Sequence, residues 1–121
     1  MSEYETNVPI LTIGAVAKAL KVHQRTLRIY DAEGILVPKR SSYNRRLYTL
    51  DDIEQGRFIL FLTRNLAINL AGVKIILNLV QKQNLKPADY INYVKPFTNL
   101  TKKEQRNNIA RLSGRGRPTV N

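Results

Sequence analysis

The sequence contains no cysteine, and its one histidine is His23. Without thiols the chain cannot form a disulfide bond, a thiolate metal site or a thiol redox sensor. One imidazole per chain cannot supply the histidine cluster that many metal sites require. Long apolar runs are also missing, because the longest, Phe58–Leu62, is far too short to span a bilayer. We therefore expect no metal, no cofactor and no membrane partner.

Acidic residues are scarce as well. The chain has 121 residues, with 20 Lys and Arg against 9 Asp and Glu, and its formal net charge is +11. A balance this basic favours a polyanionic partner such as DNA or RNA. The start of the chain carries Glu3 and Glu5 and shows no signal-peptide pattern, which predicts a cytoplasmic protein. With 43% hydrophobic residues the chain can still bury a modest core.

The stretch from Thr12 to Tyr48 predicts two short helices, a tight turn and a basic β-hairpin. Thr12 is placed to N-cap a first helix over Gly14–Leu20, because its hydroxyl can accept from a free backbone N–H. Apolar residues at helical spacing then predict a second helix from about Gln24 to Ala32. Gly34 follows, where a left-handed residue commonly ends a helix.

The hairpin is predicted from two short apolar segments around a polar tip. Ile35–Val37 is expected to be the first strand, with Pro38 limiting it to a sheet edge. Arg46–Tyr48 is expected to return, and Lys39–Arg45 to form the tip.

Helices are predicted for the rest of the chain. Thr49 and Asp52 form a capping box that opens a helix to about Asn65. The later predictions are a helix over about Leu70–Gln83, a short helix from Pro87 that ends at Pro96, and a helix from Thr101 to about Leu112. We therefore divide the chain into a flexible N-terminus (1–9), a DNA-binding domain (10–83), a helical dimerisation region (84–112) and a flexible basic tail (113–121).

Positive charge is concentrated in the helix–turn–helix and the hairpin. Residues 18–46 contain eight Lys and Arg and two acids, a net charge of +6. Gln24, Arg25 and Arg28 fall on the outward face of the second helix, where Arg can read guanine and Gln can read adenine in the major groove. Hairpin cations are expected to contact phosphates, which fixes register without reading sequence. The alternative is a solvated basic surface.

Three motifs resemble the MerR family of winged-helix transcription regulators. They are TIGAVA at residues 12–17, TLRIYD followed by GIL, Pro38 and Arg40 at residues 26–40, and RLY at residues 46–48. Ile29 replaces an aromatic residue, and Asn44 and Arg45 stand where the family wing has glycine and an aromatic residue. The resemblance implies a mainly α fold, a winged helix–turn–helix with a small β-hairpin wing and C-terminal helices for dimerisation. The expected DNA-binding residues are Thr12, His23, Gln24, Arg25, Thr26, Arg28, Tyr30, Lys39, Arg40, Arg45, Arg46 and Tyr48. For His23, a helix-cap or surface role is the alternative.

A narrower resemblance points to the heat-shock repressor branch of this family. Its motifs are VHQRTLR at residues 22–28, LTR at 62–64 and NLAGV followed by IIL at 69–77, although glutamine-synthetase regulators share part of the last one. The resemblance implies a homodimeric repressor that binds an inverted repeat beside chaperone genes, with an Hsp70-type chaperone as co-repressor. The absence of cysteine argues against the metal- and redox-sensing branches.

Two further interpretations stay open. Arg115 and Arg117, in Gly114–Pro118, resemble an AT-hook that enters the minor groove, or else they belong to a basic tail of nonspecific attraction. The rival functions are an architectural or excisionase-like DNA-binding protein and an RNA- or ribosome-binding protein. An enzyme is not expected, because no nucleophile–base pair, carboxylate dyad or phosphate loop is recognisable.

Overall fold

The computed structural model describes residues 5–98, which are mainly α-helical with a small antiparallel sheet. This confirms the predicted winged helix–turn–helix fold. In chain order the elements are β1 (Leu11–Thr12), α1 (Ile13–Leu20), α2 (Gln24–Ala32), β2 (Lys39–Arg40), β3 (Arg46–Tyr48), α3 (Leu50–Leu60), a π-helical turn (Phe61–Asn65), α4 (Leu70–Gln81) and a 3-10 turn (Pro87–Asp89). None of the helices within this described range is long and apolar enough to cross a bilayer.

The first two helices form as their caps and apolar spacing predict. The Thr12 hydroxyl accepts a hydrogen bond from the Ala15 N–H at 3.2 Å and so caps α1. Lys21 ends that helix in the left-handed conformation, at φ 58°. The helices α1 and α2 then pack through buried residues such as Val16 and Leu27, both with no exposed surface. Their outer faces are therefore left for solvent or a partner.

The wing differs from the predicted hairpin in its first strand. Ile35 and Leu36 are buried but not extended in a strand, because both of their N–H groups bond to the Tyr30 carbonyl at the end of α2, at 3.0 and 3.3 Å. The prediction of a strand over Ile35–Val37 is therefore wrong: this apolar run closes the helix, and the strand begins only after Pro38.

The sheet has three strands in the order β1-β3-β2, all antiparallel. The returning strand Arg46–Tyr48 is confirmed and lies in the centre. The edge strand β1 was not predicted, since two residues carry no detectable alternation. By pairing with β3 it ties the start of α1 to the wing.

Helix α3 is central to the core. The predicted capping box is present: Asp52 N–H donates to the Thr49 hydroxyl and Thr49 N–H donates to the Asp52 carboxylate, both at 2.9 Å. Phe58 is fully buried, and the Tyr90 ring packs edge-on against it with centroids 5.3 Å apart. A Cβ at Gly56 would lie 2.6 Å from a methyl of Leu20, so this glycine allows α1 and α3 to approach closely.

A break separates α4 from the π-helical turn before it. Ala67 is left-handed at φ 56°, and the Asn69 side chain caps the helix by accepting from the Gly72 N–H at 2.9 Å. The helix buries Val73, Leu77 and Val80 and ends at Gln81, short of the predicted Gln83.

The chain divides between Tyr90 and Ile91 into two compact units. The first therefore extends past the expected boundary at residue 83. Within the second, residues 91–98 have helical backbone, so the prediction that Pro96 ends this helix is wrong. A proline removes one N–H and crowds the preceding turn, and here that is not enough to stop the helix. The predicted helix from Thr101, the tail and its Arg115 and Arg117 lie outside the described residues.

Candidate nucleic-acid interface

The exposed face of α2 presents two arginines, Arg25 and Arg28, which differ in their hydrogen bonding. The Arg28 guanidinium donates to the Gln24 side-chain carbonyl at 3.1 Å, across one helical turn. Arg25 is exposed, and its guanidinium has no hydrogen-bond or ion-pair partner within residues 5–98. A guanidinium without an internal partner keeps its donor fork available to a ligand. Arg25 is therefore the best placed of the predicted base-reading residues.

The other predicted DNA-binding residues at the starts of α1 and α2 differ in burial and in hydrogen bonding. Gln24 is half-buried, and its amide nitrogen would lie 3.3 Å from a Cβ built on Gly14, so this side chain sits against α1. His23 is exposed at the N-cap of α2 but makes no capping hydrogen bond with its side chain. Thr26 is half-buried, and Thr12 is exposed with its hydroxyl already engaged in capping α1.

The wing tip is a hydrogen-bonded turn. The Ser41 hydroxyl accepts from the N–H groups of Tyr43 and Arg45, each at 3.2 Å, and Asn44 N–H donates to the Ser41 carbonyl at 2.8 Å. Asn44 adopts φ 62°, a left-handed conformation that asparagine tolerates better than most residues. This turn holds Lys39 and Arg45 in exposed positions beside its two strands.

Tyr43 stands at the top of this turn with 86% of its surface exposed. Sequence reasoning missed it, because the motif comparison looked for the aromatic residue next to Arg46. Its position among exposed cations gives the wing a flat ring as well as positive charge. Such a ring can pack on a sugar or a base.

Arg40 and Arg46 are not free cations. The Asp31 carboxylate, on the last turn of α2, accepts from Arg46 Nε at 2.9 Å and pairs with Arg40 Nη2 at 3.5 Å. Asp31 was not among the predicted site residues. Asp31 and Arg46 lie 15 residues apart in sequence, so no local sequence pattern predicts their contact.

Two predicted DNA contacts prove to be core residues. Tyr48 has no exposed surface and Tyr30 only 5%, so neither ring lies on the outer face of the domain. Burial raises the pKa of both phenols; the charge of Arg46 partly offsets this rise for Tyr48, and that of Arg64 does so for Tyr30. The expectation that the side chains of Tyr30 and Tyr48 contact DNA is corrected accordingly: aromatic area is more stable inside a small core than on a polar face.

The site is thus an exposed basic surface made of α2 and the wing. Its exposed cations are Arg25, Arg28, Lys39 and Arg45, together with Arg40, which is paired with Asp31. Among the residues the structure describes, no three His, Cys, Asp or Glu side chains cluster in a way that could hold a metal ion. Such a surface suits contact with an extended polyanion.

Helix, turn, helix and a basic antiparallel wing define a winged helix–turn–helix domain. Residues 11–79 match the family described as MerR HTH family regulatory protein. The chain therefore belongs to the MerR family of helix–turn–helix regulatory proteins.

Several curated relatives match the same part of the chain. A Streptomyces coelicolor protein described as heat shock protein HspR is 36% identical over 77 residues, covering 64% of this chain and 51% of the relative. The HTH-type transcriptional regulator ZntR homolog of Haemophilus influenzae is 39% identical over 85 residues, covering 69% and 62%. The regulator GlnR of Bacillus anthracis is 29% identical over 83 residues, covering 69% and 64%. The chain thus spans between half and two thirds of the length of these relatives.

Two solved structures share the fold. One is the crystal structure of HiNmlR, a MerR family regulator lacking the sensor domain, bound to promoter DNA; it has a TM-score of 0.58 and 24% identity, covering 84% of this chain and 74% of that one. The other is the HTH-type transcriptional regulator SkgA from Caulobacter crescentus, with a TM-score of 0.56 and 23% identity, covering 88% and 80%.

The buried hydroxyl of Tyr48 generates a testable prediction. It has no hydrogen-bond partner among the described residues. An unpaired buried polar group costs about 1–3 kcal/mol, so Tyr48→Phe should leave the free energy of unfolding unchanged or raise it, with duplex affinity within about twofold of the parent protein. Urea unfolding and a fluorescence-anisotropy titration measure the two quantities. A loss of affinity of about tenfold without loss of stability would show that the hydroxyl reaches DNA.

Proposed function

We propose that this protein binds double-stranded DNA and regulates transcription, with α2 in the major groove and the wing on the phosphate backbone. One observation carries the proposal: Arg25 is exposed on α2 with no side-chain partner in the described part of the chain, and Lys39 and Arg45 are exposed on the wing. Family membership supports it.

The geometry suggests that α2 contacts bases and that the wing contacts phosphates. The major groove admits an α-helix, and it is there that base pairs display distinct donor and acceptor patterns. Arg25 is the candidate reader of guanine, and Arg28, steadied by Gln24, is positioned for a neighbouring base or phosphate. Lys39 and Arg45 would contact phosphates, which supplies affinity at any sequence.

At a finer level we infer a homodimeric repressor of chaperone-type stress genes that binds an inverted repeat. Two-fold symmetry in a helix–turn–helix protein is matched by symmetry in its operator. Ile75 and Leu79 lie one turn apart on α4 with 63% and 59% of their surfaces exposed, and this apolar stripe is suited to a second copy of the chain. The relative described as HspR and the heat-shock motifs support the chaperone assignment and an Hsp70-type co-repressor.

An architectural DNA-binding protein is the second candidate. Tyr43 is the feature that favours it, because a side chain that enters the minor groove can unstack bases and bend the duplex. Strong bending without an effect on promoter activity would favour this function. A competition between duplex DNA and RNA at fixed salt separates both candidates from an RNA-binding protein.

Arg25→Ala tests base reading. Loss of a bidentate contact to guanine should reduce discrimination between cognate and mutated sites by about 1–3 kcal/mol, mainly at one base pair. The matched control is Arg57→Ala, which removes the same charge from α3, where Arg57 faces Glu54 at 3.8 Å. Titrations against a panel of single-base operator variants give the result. Equal specificity in both variants would contradict a base-reading role for Arg25.

Arg45→Ala tests the phosphate contact of the wing. Affinity should fall by a similar factor for all duplex sequences, and the slope of log affinity against log salt should decrease by about 0.9, the value for one lost phosphate contact. Measurements at four or more salt concentrations determine the slope. An unchanged slope would mean that the wing tip stays clear of the backbone.

Genome-wide mapping of bound sites tests the finer assignment. The sites should contain inverted repeats and lie beside chaperone genes, and their transcripts should rise when the protein is deleted. Control immunoprecipitations with the Arg25→Ala variant should lose these peaks. Sites without dyad symmetry, or transcripts that fall on deletion, would argue against a dimeric repressor while leaving DNA binding itself intact.

A further inference from the structure

Two arginines of the wing face each other across its strands. Arg40 in β2 and Arg46 in β3 are direct partners in the antiparallel register. Like charges placed opposite each other destabilise a sheet, and a wing of two and three residues per strand has few ladder bonds to offset the repulsion. The wing therefore needs a counter-charge.

Asp31 provides that counter-charge from α2. Its carboxylate contacts Arg46 at 2.9 Å and Arg40 at 3.5 Å, and only 17% of its side-chain surface is exposed. Arg40 also donates to the Asn44 carbonyl at 3.2 Å, which extends the linkage into the wing tip. One carboxylate thus joins α2 to both wing strands and, through Arg40, to the turn.

We propose that Asp31 is a positioning residue, which fixes the wing against α2 so that wing cations meet phosphates while α2 occupies the groove. This inference rests on the proposed DNA-binding function. It assigns Arg40 and Arg46 a second role: they hold the wing through Asp31. Lys39 and Arg45 are exposed, and their side chains make no hydrogen bond or ion pair within residues 5–98. Because the wing is already fixed in the free protein, less conformational entropy is lost when the protein binds DNA.

Simple electrostatics makes the opposite prediction for this residue. An acid beside a phosphate-binding surface repels the ligand, so its neutralisation should tighten binding. A positioning role requires the reverse, since loss of Asp31 leaves two facing arginines without a counter-charge and frees the wing. The sign of the change in affinity therefore decides between the two.

The first experiment measures duplex affinity for Asp31→Asn at constant salt. We expect binding to weaken by about fivefold or more even though the net charge rises by one unit, because the wing is no longer held in place. Glu33→Gln is the matched control: it makes the same charge change two positions along, but Glu33 pairs with Lys74 of α4 at 2.9 Å and not with the wing. This control should bind as tightly as the parent protein or more tightly.

Two further variants separate positioning from general damage. Asp31→Glu, which restores the charge, should recover part of the lost affinity. Asp31→Asn should have little additional effect once Arg40 and Arg46 are both changed to Gln, because the contacts that it breaks are already gone. A full additional loss in that background would overturn the proposal.

The second experiment needs no DNA. Amide hydrogen exchange of the free protein reports on wing opening, and the Ser41 N–H, which donates to the Arg45 carbonyl at 2.9 Å, is a suitable probe. Asp31→Asn should speed exchange at this amide by about tenfold relative to Glu33→Gln, while core amides of α3 such as that of Phe58 stay protected.

The two readouts keep the proposal distinct from the function on which it rests. Faster wing exchange together with weaker duplex binding supports Asp31 as the positioning residue. Binding by Asp31→Asn as tight as that of the parent protein, or unchanged exchange at Ser41, overturns it. If the parent protein itself binds no duplex, the proposed function fails, and the exchange measurement alone decides whether Asp31 holds the wing.

Discussion

Crowded positive charge is the constraint that shapes the candidate interface. Residues 18–46 concentrate a net charge of +6 on two short helices and a wing whose strands have two and three residues. The core beneath them, with Val16, Leu27 and Tyr48 fully buried, supplies the free energy that keeps these cations together. Within residues 5–98, Arg40 and Arg46 share the single negative charge of Asp31, whereas Arg25, Lys39 and Arg45 are exposed and make no side-chain ion pair.

Features that depend only on residues within one helical turn could be predicted from the sequence. Thr12 and Thr49 each cap a helix where their side chains and the following apolar spacing predict, so the helices of the first unit were placed almost to the residue. The segment Ile35–Val37 was misjudged because its composition favours a strand while its N–H groups close α2. Composition cannot reveal which carbonyl will accept a hydrogen bond from a given backbone N–H.

The candidate site was less predictable than the fold. Exposure of Arg25 follows from helical periodicity alone, and it was anticipated. The burial of Tyr48 and the pairing of Asp31 with Arg46 depend on how a strand lies against a helix, which is a property of the folded chain. Family motifs identified the cations of α2 and the wing but could not distinguish an exposed cation such as Arg45 from one paired with a carboxylate, such as Arg46. These motifs also do not predict which genes are regulated, because relatives with names as different as HspR, ZntR homolog and GlnR all match this domain.

Ala67 connects the π-helical turn to α4 with a backbone at φ 56°. An alanine in this conformation carries a steric cost of about 1–2 kcal/mol that glycine would not. The left-handed conformation of Ala67 is therefore maintained by the packing on either side of it and not by the preference of alanine itself. Replacement of Ala67 by glycine, which needs a single codon change, would remove this cost at a position distant in sequence from every side chain proposed to touch the operator.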